Sequence, residues 1–281
     1  MLSFMHYLFS AKLPQITIDT QENLKIQTPE EKYMIKSLAK NAEDNCFNGN
    51  IDAQLAAISS IRDIIHSKAA VVTIYKAVSI CTNLCQNGSP KVIQAMNSLL
   101  KKHIQNSDPV IILLGLNAFF RAIKRPELIT IVIDRNIVKH FVQLSKHSDK
   151  DVKMTAFIIL AKIFERDYMK AALNFGIIKL LPSFLSSEET QLKKEAVNII
   201  YKIVSNGTKD DIQDLIRANT IPNLCSIFDC NDENLFGIIL SSLNGILQKS
   251  GKMSSDVWKM LRKSGSSEIL KKFMEINHSL S

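Results

Sequence analysis

Glycine and proline are scarce, 9 and 7 among 281 residues, while 46% of the chain is hydrophobic. With so few helix breakers and so much apolar material, the chain is expected to bury a large core and to be mostly helical. Long apolar runs are missing as well. IRDIIHS, VIILLGL and FIILAKI are short and interrupted by charge, and none approaches the roughly 18 apolar residues that a membrane span requires. A soluble chain with no membrane partner is expected. The opening MLSFMHYLFSAKL has no Lys or Arg ahead of its apolar run and no small-residue cleavage site, which argues against a secretory signal.

A disulfide framework is also lacking. Cys46, Cys81, Cys85, Cys225 and Cys230 form an odd, scattered set in a chain large enough to need no staples, so a reducing compartment is expected. Cys81 and Cys85 lie four apart on a helical segment, but no second Cys or His pair with zinc-like spacing accompanies them, and they read as core filler. His140 and His147 lack a partner set and read as surface residues. The chain contains no GxGxxG, GxxxxGK[ST], GxSxG or HExxH. No catalytic residue, no metal and no cofactor is therefore expected, and the chain is read as a non-enzyme.

What is present is a repeat. In KKEAVNIIYKIVSNGTKDD, Ala196, Ile199, Ile200 and Ile203 follow the i, i+3, i+4, i+7 rule of a one-faced helix. The same order recurs 40 residues earlier as Ala156, Ile159, Leu160 and Ile163, and 41 residues before that as Gly115, Ala118, Phe119 and Ala122. One step later Leu243 and Ile246 fit at an offset of about 43. The intervening segments each read as a short helix, a turn and a second helix, with Asn136, Gly176 and Asn219 at the turn, where a left-handed backbone is least costly for Gly or Asn. A period near 40 with helices and almost no strand signal predicts an all-α, right-handed solenoid of the armadillo/HEAT type, and three helices per unit favours armadillo. The expected organisation is a poorly ordered segment over 1–35 and one solenoid of five to six repeats over 36–281, irregular at 67–107.

These residues also carry a family resemblance. KKEAVNIIYKIVSNGTKDDIQDLIRANTIPNLCSIF, residues 193–228, resembles an importin-alpha repeat. Weaker similarity runs from about 108 to 250, LRKSGSSEILKKFMEINHS resembles the last repeat of that family, and SLAKNAEDNCFNGNIDAQLAAISSIRDIIHS resembles the start of the first. The resemblance implies third helices that line a concave groove, where a Trp and, four residues on, an Asn grip an extended lysine-rich nuclear localisation signal. Here the Trp positions hold Asn117, Ile158, Asn198 and Ser241, and the Asn positions hold Arg121, Lys162, Lys202 and Gly245; the one tryptophan, Trp258, lies elsewhere. Gly207 and Thr208 match the Gly-Thr that follows the third helix, and Asp210 matches the acidic residue that contacts a signal lysine. Gly207 and Thr208 also fit a helix stop followed by the N-cap of the next helix. The basic importin-beta-binding arm is not apparent, because residues 1–35 contain no basic run.

An Asn amide donates and accepts, whereas Lys and Arg only donate and bring a full charge. Arg121, Lys162 and Lys202 on successive repeats are expected to add to one positive field, with Glu165 the one acidic residue a turn from Lys162. The whole-chain charge of +8 points the same way. Two readings follow. One is an importin-alpha-like adaptor of cytoplasm and nucleus that binds cargo peptides for nuclear import through Asn117, Arg121, Ile158, Lys162, Asn198, Lys202, Gly207, Thr208 and Asp210. The other is a scaffold whose basic groove takes acidic protein segments. Nucleic acid is the weaker partner, since the groove offers no evident stacking aromatics.

Overall fold

The computed structural model describes residues 28–46, 50–66, 71–164, 168–227 and 232–264. Among them there is no strand, and no helix is long and apolar enough to cross a membrane. The described chain divides into two compact units, one ending at Asp134 and the other starting at Arg135.

The first unit contains α1 (Pro29–Cys46), α2 (Ile51–His66), α3 (Val71–Asn87), α4 (Pro90–Ile104), α5 (Pro109–Ile123) and the short α6 (Pro126–Val132). Pro90, Pro109 and Pro126 each occupy the first helical position, where a missing N–H costs nothing. Ser89 and Asp108 cap α4 and α5 by accepting from the N–H groups of Val92 and Val110. Helix α3 packs against both α1 and α5, and α2 packs against α4, which makes two layers of helices. Within the region 67–107, the described residues form the helix pair α3 and α4. Ala77, Ile80, Cys81 and Leu84 of α3 are all buried, in the same order as Gly115, Ala118, Phe119 and Ala122 and 38 residues ahead of them.

One expectation changes in this unit. Residues 29–35, assigned to a poorly ordered segment, are helical, while residues 1–27 lie outside the described residues. Only Gly88 and Ser89 separate α3 from α4, so this repeat has two helices, without the first short helix of a three-helix unit.

The second unit holds α7 (Arg135–Leu144), α8 (Lys150–Ile163), α9 (Met169–Asn174), a 3-10 turn (Ile177–Leu180) leading into α10 (Leu181–Leu185), α11 (Thr190–Asn206), α12 (Lys209–Arg217), α13 (Thr220–Cys225), α14 (Glu233–Lys249), a second 3-10 turn (Gly251–Met253) and α15 (Ser254–Lys263). The expected three-helix pattern is found here twice, as α9–α10–α11 and α12–α13–α14. The long helices α8, α11 and α14 pack in succession, and α13 packs against α10 and α15. Burial of Ala156, Ile159, Leu160, Ile163, Ala196, Ile199, Ile200, Ile203, Leu243 and Ile246 fills the seam, and each large aliphatic contributes about 1.5–3 kcal/mol of transfer free energy. Phe157 of α8 stacks on Phe184 of α10, linking the layers.

Turn chemistry is met at two of the three expected positions. Gly176 (φ 86°) and Asn219 (φ 59°) are left-handed. Asn136 is not: α6 ends at extended Ile133, and Asn136 already belongs to α7.

Candidate functional site

Six of the site residues, Asn117, Arg121, Ile158, Lys162, Asn198 and Lys202, sit on the long third helices, where apolar packing on one side leaves a polar stripe on the other. In α11 that stripe is Gln191, Glu195, Asn198 and Lys202, spaced at four, three and four residues along one face. Asn198 and Lys202 are half-buried on it. Ile158 of α8 is only 6% exposed, so it offers a ligand almost no surface. It belongs to the core of the second unit.

Lys162 of α8 departs from the expected free cation. Its Nζ lies 3.3 Å from Glu195 Oε1 on α11, with side-chain exposures of 49% and 5%. Gln191 Nε2 donates to the same carboxylate oxygen at 2.7 Å. Local sequence spacing pointed instead to Glu165, which lies outside the described residues; the actual partner comes from the neighbouring repeat, 33 residues on. Lys162 therefore adds much less to a positive field than its sequence position suggests. Arg121, in the first unit, is half-buried and donates to Gln86 Oε1 of α3. One turn further on, Arg125 donates to the Gly88 carbonyl at 2.7 Å and to Glu127 Oε1 at 3.0 Å.

At the fourth rung, Gly245 marks a close approach. A Cβ there would come 2.3 Å from Val204 Cγ1 of α11, which explains why that rung has no side chain. One turn later Lys249 reaches the Val204 and Ser205 carbonyls at the C-terminal end of α11.

Gly207, Thr208 and Asp210 divide by role. A Cβ on Gly207 would meet the Ile203 carbonyl oxygen at 2.4 Å. Thr208 is the N-cap of α12: its Oγ1 accepts from Asp211 N–H at 3.3 Å and donates to Asp211 Oδ2 at 2.7 Å, while its own N–H donates to Asp211 Oδ2 at 2.8 Å. This capping box commits Gly207 and Thr208 to chain geometry. Asp210, beside them in the first turn of α12, is exposed.

Contacts within the first unit also reveal rungs missed in the sequence reading. Since α1, α3 and α5 form one layer, Asn83 stands on α3 where Arg121 stands on α5, and Asn41 holds the corresponding place on α1. Asn83 and Asn117 are half-buried. Asn41 donates to Ser60 Oγ of α2 at 3.0 Å and accepts from Asn45. The Ala77-Ile80-Cys81-Leu84 order was the available signal for Asn83.

Among the described residues no other cluster competes. Among the described residues no group of three or more His, Cys, Asp or Glu could hold a metal. Cys81, Cys85 and Cys225 are buried free thiols, and burial pushes the Cys81 thiol up to about 12, as befits neutral core filler. His147 lies near the surface and its Nδ1 accepts from Asp149 N–H.

No protein-family model matches this chain, and no curated protein matches it. Solved structures do. Computationally designed armadillo repeat proteins for modular peptide recognition are similar with a TM-score of 0.60 and 20% identity, over 78% of this chain and 99% of that one. A designed armadillo repeat protein in complex with the peptide (KR)4 is similar with a TM-score of 0.57 and 19% identity, over 78% of this chain and 95% of that one. An engineered protein is similar over 89% of this chain and 71% of its own, at 18% identity and a TM-score of 0.58. At these identities the likeness establishes the fold: the chain is an all-α solenoid of armadillo-type repeats.

Proposed function

We propose that this chain is a peptide-binding adaptor resembling importin-alpha, which holds an extended lysine-bearing segment of a cargo protein for nuclear import and works in cytoplasm and nucleus. The observation that carries the reading is the polar stripe Gln191–Glu195–Asn198–Lys202 on a third helix, with a recessed carboxylate at its centre. The carboxamide of Asn198 can both donate to and accept from a peptide backbone, and exposed Asp210 can meet a ligand ammonium. The complex of a designed armadillo protein with (KR)4 supports this ligand chemistry on the same fold. Pairing of Lys162 with Glu195 weakens the case for an acidic ligand, because the central cation is already neutralised.

Fluorescence anisotropy with a labelled lysine-rich peptide and an Asp/Glu-rich one tests the reading. The lysine-rich peptide is expected to bind at least micromolar, on the order of −8 kcal/mol, and Asp210→Lys should weaken it. Preference for the acidic peptide, or no binding of the basic one at millimolar concentration, would reject it.

A further inference from the structure

The Glu195 carboxylate is almost wholly buried, and a carboxylate in that position requires a cation or several hydrogen bonds. It receives one hydrogen bond from Gln191 and the Lys162 ammonium from the next long helix. Lys162 itself is half exposed, on a flexible four-carbon stem, at a distance of 3.3 Å. One partner is thus fixed in the protein interior while the other reaches in from solvent. Releasing the lysine costs little hydration, because water receives the ammonium; leaving the carboxylate empty costs much more. Exchange of one cation for another satisfies both.

We infer that Glu195 and Gln191 form a receptor for a single cationic side chain of the ligand, and that Lys162 is its resident occupant in the unliganded protein. The inference rests on the peptide-binding reading and names the subsite that reads charge. Glu195 lies on the same stripe as Asn198 and Lys202, one turn from Asn198, so a segment held along that stripe brings its side chains to the carboxylate. A ligand ammonium or guanidinium displaces Lys162, which then swings into solvent. The protein pays for every such binding event by breaking its own ion pair, and Lys162 therefore sets the threshold for cationic ligands. A neutral or acidic side chain cannot make the exchange.

The test uses the full chain and a labelled (KR)4 peptide in an anisotropy titration, with an Asp/Glu-rich peptide as control. Lys162→Met removes the occupant and keeps the stem, and should tighten (KR)4 binding about tenfold, the equivalent of ~1.4 kcal/mol. Adding Glu195→Gln to that variant should cancel the gain. Should Lys162→Met fail to fold, the wild-type protein supplies the second readout: acylation of the Lys162 amine should speed up on addition of (KR)4. If wild type binds (KR)4 but Lys162→Met binds no tighter, or Lys162 acylation is unchanged by bound peptide, the resident-occupant proposal is overturned while the adaptor reading stands. If no form of the protein binds either peptide, both fall.

Discussion

His103 of α4 is 1% exposed, and neither ring nitrogen has a hydrogen-bond partner. Burial alone lowers its pKa to about 4. A histidine depressed in this way is neutral in the folded chain and protonates in the unfolded chain near its ordinary value of 6.5, so acid favours unfolding. Stability should be full above pH about 6.5, fall as the pH drops toward about 4, and lose on the order of 3 kcal/mol from this group. Urea unfolding from pH 7.5 to 4.5 measures this, and His103→Leu should flatten that part of the profile; an unchanged slope would mean that other groups govern it. At the opposite end of the chain, Gly245→Ala places a methyl group 2.3 Å from Val204 Cγ1. Forcing α14 away from α11 should cost about 1–3 kcal/mol and lower Tm by several degrees, which differential scanning calorimetry would register.

At the scale of elements, the start of α12 depends on a reciprocal pair of side chains rather than on packing. Thr208→Ala removes the acceptor for Asp211 N–H and should cost about 1 kcal/mol of stability. Because the capping box commits Thr208 to the helix start, the same change should leave peptide affinity at its wild-type value once folded fractions are matched. A large loss of affinity at matched folding would return Thr208 to the ligand site. The third helices differ from this arrangement, since α8, α11 and α14 are held by apolar seams and tolerate varied polar residues at the rungs. That tolerance explains how Lys162 and Lys202 can occupy one repeat position, whereas Gly245 is fixed there by the close approach of Val204.

On the scale of the whole molecule, a net charge of +8 repels a lysine-rich peptide at long range even where Glu195 and Asp210 attract it locally. Salt screens the long-range part first, with a Debye length of about 10 Å at 0.1 M. Association of (KR)4 should therefore speed up between low and physiological ionic strength, while an acidic peptide should slow down. Stopped-flow fluorescence separates the two, and slowing of (KR)4 association by salt would contradict the long-range repulsion.

Amino-acid order alone determined the helical class, the period near 40 and the apolar seam of the second unit, because burying Ala156, Ile159, Leu160 and their counterparts demands helical spacing whatever the neighbours do. It also exposed Thr208 as a cap, since capping acts within four residues. Only the tertiary structure decided which charges remain available. Glu195 is remote from Lys162 in sequence and adjacent in space, and Gln86 stands in the same relation to Arg121. The two-helix repeat around α3 and α4 and the burial of Ile158 were likewise settled by contacts between repeats. Local spacing governs a helix, whereas the state of a side chain on its surface depends on what the next helix presents to it.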